Sequence, residues 1–429
     1  MSAATNSPPA KGEYPEGERG FLPTLRFPEF RDAGEWEKRK AGSLFAHRTT
    51  KGGQDLPIYS VTMNDGMVRR DSLDRKVDDI EDAAGNKKVC RNDIAYNMMR
   101  MWQGAMGVAP EDCLVSPAYV VLAPNKDAAP HFFQYLFKLP AMLQFLTSHS
   151  RGLTKDRLRL YFDDFAKMEF RCPTVKEQQR IADFLAAIDE HIATKTERLD
   201  SLKTHKKGLM QQLFPCEGES QPRVRFPEFG NDEQWGNVSL GEISEIKLGK
   251  MLDKQKNTTG YLLPYLNNIS VRWNEVNVLD LPQMYFDDRE LERFGLKSGD
   301  VVVCEGGEPG RAAVWDGHLP DLKFQKAIHR VRFNVPFEPK ILVLLLESIS
   351  GTPQFEMLFT GGGIKHLTGE TFSRLKIPLI PVPEQKRIAD CFTSLDTLIT
   401  AATQELDTLK THKKALMQQL FPAQEEVAA

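Results

Sequence analysis

Several sets of residues in the chain approach a catalytic pattern, and each fails on type or spacing. Pro320-Asp321 with Glu338-Pro-Lys340, and Pro227-Glu228 with Glu245-Ile-Lys247, approach the acid, acid and lysine pattern that holds Mg²⁺ at a scissile phosphate. The first puts Pro339 between its two ligands, where a central strand tolerates proline poorly. The second uses Phe-Pro-Glu-Phe, a motif that occurs twice, yet the other copy has no Glu-x-Lys after it. A base-holding Pro-Pro-aromatic loop is approached only by Ser7-Pro-Pro-Ala10, whose alanine cannot stack on a flipped base. Gly361-Gly-Gly-Ile-Lys-His366 lacks the spacing of a phosphate-binding loop, and no dinucleotide fingerprint is present. The cysteines (Cys90, Cys113, Cys172, Cys216, Cys304, Cys391) and the 9 histidines show no metal spacing, so free thiols in a reducing compartment are expected. No catalytic residue and no metal ligand is assigned.

Composition bounds the remaining classes. The 429 residues imply two or three domains, with 41% hydrophobic and 27% charged residues as in globular proteins. The longest apolar runs, such as Ile341 to Leu346, are far shorter than the roughly 18 residues a membrane span needs. Residues 1–20 are polar and lack a signal-peptide pattern, which points to a cytoplasmic protein. A net charge of −3 means that any nucleic-acid contact must come from local patches.

What positions the rest is an internal repeat. Glu177 to Pro215 aligns without gaps onto Glu384 to Pro422, with 24 of 39 residues identical. Upstream, Arg26-Phe-Pro-Glu-Phe30 with Trp36 and Gly42 recurs as Arg225-Phe-Pro-Glu-Phe229 with Trp235 and Gly241. Between these signatures, Ser43 to Arg171 and Glu242 to Leu379 share only echoes such as Asn92-Asp-Ile94 and Gly299-Asp-Val301. The expected division is an N-terminal tail over 1–20, a variable domain over 21–172, a shared helix over 173–215 and a linker over 216–223. A second variable domain over 224–380, a second helix over 381–422 and a tail over 423–429 follow.

Apolar residues in the shared segments recur three, four or seven apart, as in a heptad seam. Ile181, Leu185, Ile188, Ile192, Leu199 and Leu202 line the first, and Ile388, Leu395, Ile399, Leu406 and Leu409 the second. Each helix is preceded by proline and closed by Phe-Pro, and Glu177 to Leu213 would be roughly 55 Å long. So narrow a stripe calls for a partner helix along it, and each copy offers one to the other; packing on its own domain is the alternative. Lys206 and Lys413 sit at seam positions, where they either set register or snorkel. Exposed positions match as well: Lys203, His205, Lys207, Gln211 and Gln212 recur as Lys410, His412, Lys414, Gln418 and Gln419. A surface duplicated in one chain suits two copies of one partner.

The variable domains mix short β-like runs (Pro57 to Thr62, Val115 to Leu122, Asp300 to Cys304, Ile328 to Phe333) with helical stretches at His131 to Leu146 and Ile341 to Leu358, an α+β reading. Basic residues gather beside turn signals: Arg69, Arg70, Arg100, Arg151, Lys155 and Arg157 in the first, Lys250, Lys254, Arg272, Arg311, Lys365 and His366 in the second. These are the candidate DNA contacts, since Arg and Lys reach guanine edges and phosphates. Each alone is more often a solvated charge.

With these residues in view, the chain resembles the specificity subunit of type I restriction-modification enzymes. The resemblance rests on Leu25-Arg-Phe-Pro-Glu-Phe30 with Trp36, Val224-Arg-Phe-Pro-Glu-Phe229 with Trp235, Lys176-Glu-Gln-Gln-Arg-Ile-Ala182 after Pro173, and Pro383-Glu-Gln-Lys-Arg-Ile-Ala389. It implies two α/β-mixed target-recognition domains joined by two long helices in an antiparallel coiled coil with pseudo-twofold repetition. It also implies that each domain reads half of a bipartite, asymmetric DNA site, with the helices setting the gap and docking two modification (methyltransferase) subunits. S-adenosylmethionine would then sit on those subunits, and ATP and Mg²⁺ on the partners, with two restriction subunits translocating and cleaving DNA. The chain itself is expected to be noncatalytic, without a cofactor of its own. The rivals are a methyltransferase or nuclease acting alone, and a coiled-coil protein-binding scaffold.

Overall fold

A computed structural model describes residues 22–53, 55–72, 85–216, 219–230, 234–253, 258–360 and 365–422. The two tails, two residues of the linker, Lys254 and the triple glycine lie outside the described residues. The chain divides into two compact units, residues 1–194 with 406–429 and residues 195–405, and both divisions fall inside the long helices.

The first unit contains β1 (Glu37–Lys40), α1 (Ala41–Leu44), β2 (Phe45–His47), β3 (Ile94–Asn97), β4 (Met106–Val108), β5 (Tyr119–Pro124), α2 (Pro130–Phe137), α3 (Pro140–Ser148), α4 (Phe162–Phe165), β6 (Glu169–Cys172) and the start of α5 (Val175–Leu213). In the second lie β7 (Gly236–Ser239), α6 (Leu240–Ile243), β8 (Ser244–Leu248), β9 (Val301–Cys304), β10 (Ala312–Val314), β11 (Ile328–Phe333), α7 (Pro339–Ile349), α8 (Pro353–Glu356), α9 (Gly369–Ser373), β12 (Lys376–Leu379) and the start of α10 (Val382–Leu420). The apolar stretch at 131–146 is two helices because Pro140 cannot continue the first, and the stretch at 341–358 breaks at Gly351 (φ +77°) and Pro353. The run at 115–122 likewise divides, between a strand at Cys113–Val115 and β5.

Two sequences that barely resemble each other form one topology. The four-stranded sheets run β2-β5-β3-β4 and β8-β11-β9-β10, all antiparallel, and entry and exit strands pair as β1 with β6 and β7 with β12. The short sequence echoes mark a shared turn. Asp93 N–H donates to Cys90 O and Asp300 N–H to Lys297 O, around Asn92 (φ +71°) and Gly299 (φ +87°). Each aspartate is buried and accepts from the backbone N–H of the residue that opens its turn. The positive φ explains Asn and Gly at the third position of the turn.

Each core joins a variable domain to both long helices. In the first unit Phe132, Phe133, Phe165 and Phe170 pack with Trp36, Ile181, Leu185, Leu420 and Phe421. In the second, Trp235 and the buried run Ile341–Leu346 pack with Met210, Leu213, Phe214, Ile388 and Phe392. Thus the start of one helix and the end of the other run antiparallel in each unit, which amends the expectation that the seam serves helix pairing alone: Ile181, Leu185 and Ile388 also fill domain cores. Ile188 and Leu395 are half-buried beside these cores, Leu199 and Leu406 are buried, and Ile192, Leu202, Ile399 and Leu409 are half-buried. Lys206 is buried and ion-paired to Asp396 (2.9 Å) and Glu347 (3.0 Å), and Lys413 is paired to Asp189. The seam lysines therefore hold acids across the helix pair.

The repeated motifs meet each other. Arg26 donates twice to Glu177 (2.7 and 2.6 Å), and Arg225 twice to Glu384 (2.9 and 2.6 Å). Arg180 pairs with Glu29 over the Phe27 ring, as Arg387 does with Glu228 over Phe226. Gln178 and Gln385 each donate to the carbonyl five residues before them. The Arg-Phe-Pro-Glu and Glu-Gln-x-Arg repeats thus form one latch, built twice.

Candidate nucleic-acid interface

The shared sheets project equivalent pairs of loops. In the first unit the β3–β4 loop meets the α3–α4 loop where Leu160 N–H donates to Met98 O (2.9 Å); in the second, the β9–β10 loop meets the α8–α9 loop where Leu367 N–H donates to Glu305 O (2.8 Å). The α3–α4 loop is closed by reciprocal backbone bonds between Arg151 and Arg159, and its counterpart by those between Thr360 and His366. Loops mounted on a rigid sheet are where sequence can vary without cost to the core.

Of the candidate contacts in the first unit, the structure brings Arg100, Arg151 and Arg157 to this pair of loops, all exposed. Arg151 is held by Asp164 (2.5 Å) and lines a concavity with Gly152, Arg157, Arg159, Tyr161 and Asp163. Arg159 was not singled out from the sequence; its place opposite Arg151 depends on the loop closing. Lys155 begins a short 3₁₀ turn, and its side chain lies outside the described residues. Arg69 and Arg70 lie elsewhere, at the end of the ribbon that pairs Tyr59–Val61 with Met67–Arg69, and Arg69 pairs with Asp71 (3.1 Å).

In the second unit Lys365 and His366 sit on the α8–α9 loop, the lysine paired to Glu356 and the imidazole 3.1 Å from Glu305. Arg311 closes the β9–β10 loop, but its guanidinium is engaged by Glu308 (2.5 Å) and Asn268 O (2.6 Å), so it shapes the loop. Lys250 must be corrected: it is buried, donates to Tyr285 O (2.7 Å) and Glu290 (2.5 Å), and lies over Phe286, so its charge is engaged within the fold. Arg272 is exposed on the hairpin Val271–Arg272 with Glu275–Val276. Glu305 carries no sequence signal of its own, because an acid in a glycine-rich loop gains its meaning only from the His366 ring that the fold sets beside it.

The duplicated helix surface is exposed in both copies: Lys203, His205, Lys207, Gln211 and Gln212, and Lys410, His412, Lys414, Gln418 and Gln419. Gln212 O and Gln419 O each accept a backbone N–H from the segment leading into Arg-Phe-Pro-Glu, from Val224 and Leu25.

The remaining chemistry is structural. Glu338 caps α7, whose first residue is Pro339, so the acid, acid and lysine pattern there is a helix start. Glu245 accepts from Lys247 and Arg330, which holds its carboxyl below the usual range. All six cysteines are free, and burial pushes the Cys113 and Cys172 thiols up to about 12. Burial also lowers the pKa of His329, whose Nε2 bonds Leu367 O. Among the described residues no group of three or more His, Cys, Asp or Glu could hold a metal ion, and no helix is long and apolar enough to cross a membrane.

The family model described as type I restriction modification DNA specificity domain matches the chain twice, over residues 33–204 and 232–411. The type I restriction enzyme MjaVIII specificity subunit of Methanocaldococcus jannaschii is 24% identical over 350 residues, covering 78% of this chain and 80% of that protein. The fold is similar to the crystal structure of the type I restriction-modification S subunit from M. genitalium, with TM-score 0.56, 15% identity, and coverage of 94% of this chain and 99% of that one. A chain from a study of assembly and conformational transition in a type I restriction-modification system gives TM-score 0.52 at 17% identity, covering 91% and 98%.

Proposed function

Because the chain belongs to the type I restriction-modification DNA specificity family, whose members are noncatalytic, we propose that it reads a bipartite, asymmetric DNA site with its two variable domains. The observation that carries this reading is the pairing of one sheet topology with two unlike sets of loops. A shared scaffold presents both loop pairs in the same way, while their different side chains select different bases. Arg100, Arg151, Lys155 and Arg157 in the first unit, and Lys365, His366, Arg272 and Lys254 in the second, are the proposed DNA contacts, with Arg69 and Arg70 proposed as backbone contacts from the separate ribbon of the first unit.

In this reading α5 and α10, 39 residues each and about 58 Å long, fix the gap between the half-sites. The exposed residues Lys203, His205, Lys207, Gln211 and Gln212, and their repeats Lys410, His412, Lys414, Gln418 and Gln419, each form a surface that docks one modification subunit, and restriction subunits join through these. S-adenosylmethionine, ATP and Mg²⁺ then belong to the partners, and the complex works on host and invading DNA in the cytoplasm. The domain limits proposed from sequence, 21–172 and 224–380, serve as limits for exchange. Replacing 224–380 by the corresponding domain of a relative, with the modification subunits present, should change one methylated half-site and leave the other intact. Methylation that changes at both halves or at neither defeats the proposal.

A further inference from the structure

The β9–β10 loop, Glu305-Gly-Gly-Glu-Pro-Gly-Arg311, carries two acids: Glu308 is paired with Arg311, and Glu305 lies beside His366 of the α8–α9 loop. Its backbone is fixed on both sides: Glu305 N–H donates to Ala327 O and Glu305 O accepts from Leu367 N–H, both at 2.8 Å. The next two residues are glycines, the first closely approached and the second in the left-handed region. A Cβ on Gly306 would lie 3.3 Å from the His366 ring, and one on Gly307, whose φ is +80°, would lie 2.5 Å from the Asn268 amide. The Glu305 carboxylate is 19% exposed and its Oε1 lies 3.1 Å from His366 Nδ1.

A carboxylate on a DNA-facing surface repels phosphates, so what it adds to DNA binding comes from accepting a hydrogen bond from a base. The amino groups in the major groove are adenine N6 and cytosine N4. Adenine sets an acceptor beside its donor and suits the amide of Asn or Gln, whereas an acceptor-only carboxylate suits cytosine. We propose that Glu305 accepts from N4 of a cytosine in the half-site read by the second unit, and so selects a C·G pair there. This rests on the reading of that unit as a DNA reader. The first unit has Met98 at the equivalent point of its loop pair, with no charge and no strong acceptor. The two units therefore differ in side-chain chemistry at one shared position.

The test combines the protein and the DNA. The chain is produced with its modification subunits, and methylated adenines are mapped for wild type, Glu305→Gln and the control Glu308→Gln, which removes the same charge three residues away. Glu305→Gln should relax one cytosine of the second half-site by about tenfold and leave the first half-site alone, while binding to random duplex at low salt strengthens. Glu308→Gln should keep the motif. Independently, wild-type complex is bound to duplexes in which each cytosine of the second half-site is replaced in turn by 2-pyrimidinone, which lacks N4. One replacement should cost about tenfold in affinity. The inference is overturned if no such replacement weakens binding, if Glu305→Gln keeps a strict motif, or if Glu308→Gln relaxes it equally. Exchange of residues 224–380 reports separately on the DNA-reading function, because it changes a half-site whether or not Glu305 is the selector.

Discussion

Lys206 of α5 and Asp396 of α10 lie 2.9 Å apart in the second unit, and their repeat equivalents, Lys413 of α10 and Asp189 of α5, form the same pair in the first. The helices exchange roles between the two pairs, as a twofold repeat requires. Head-specific residues complete each pair: Glu347 and Lys340 join the first, and the Tyr135 hydroxyl donates to Asp189 in the second. Sliding the helices by one heptad would set Lys413 against Thr196 or Ala182, and Lys206 against Thr403 or Ala389, with no acid opposite either. Within each unit the pair therefore fixes the register of its two helix segments.

Removing one cation should leave two partly buried acids short of a partner. Lys206→Ala should cost about 2 kcal/mol of stability, less than a fully buried pair would, because Lys340 and Asn274 still reach Asp396 and Glu347. Chemical denaturation of Lys206→Ala, Asp396→Ala and the double variant measures it. A coupling energy near zero would show that the pair does not hold the helices.

The latch makes a larger demand. Glu384 is 1% exposed and depends on Arg225, with Trp235 Nε1–H as a further donor at 2.9 Å. Arg225→Ala should cost about 3 kcal/mol, and Arg26→Ala a similar amount in the other unit, where Glu177 is equally buried. Loss of less than about 1 kcal/mol at both, read from denaturation midpoints, would contradict the latch.

Acidification acts on the second unit through His329. Its pKa is lowered in the fold by burial, against the opposing hydrogen bond to Leu367 O and the charge of Glu305, so the unfolded chain takes up the proton first. Stability should fall as pH drops below the ordinary imidazole value of about 6.5. Thermal midpoints at pH 7.5 and 5.5 should differ more for wild type than for His329→Gln, and equal differences would refute the assignment.

The exposed repeat surface separates docking from folding. Lys203→Glu with Lys207→Glu should change stability by about 0.5 kcal/mol or less per residue. Sizing the complex should then show one modification subunit bound in place of two. Retention of both would move the docking site elsewhere.

How much of this was legible depends on range. The long helices, with heptad spacing and proline at both ends, show in the local pattern, and so does the exposed face of Lys203 and Lys410. Arg26 with Glu177 and Arg225 with Glu384 do not, because about 150 residues separate each pair and only the fold brings them together. The common sheet topology was hidden for a related reason. Strands of three to six residues carry weak periodicity, and the one shared cue, Asp93 and Asp300 closing a turn, amounts to a few letters. Lys250 misled because a lysine beside a glycine reads the same in sequence whether it faces water or Glu290.

The central claim is that the paired helices set the distance between two independent DNA readers. On each helix the point midway between the ion-paired positions follows Glu197 and Gln404, so seven residues inserted after both keep the helices in register. They add about 10 Å, or roughly three base pairs at 3.4 Å each. Mapping methylated adenines in a host carrying this variant and its modification subunits should show both half-sites unchanged and the gap longer by about three base pairs. An unchanged gap, or altered half-sites, would contradict the account.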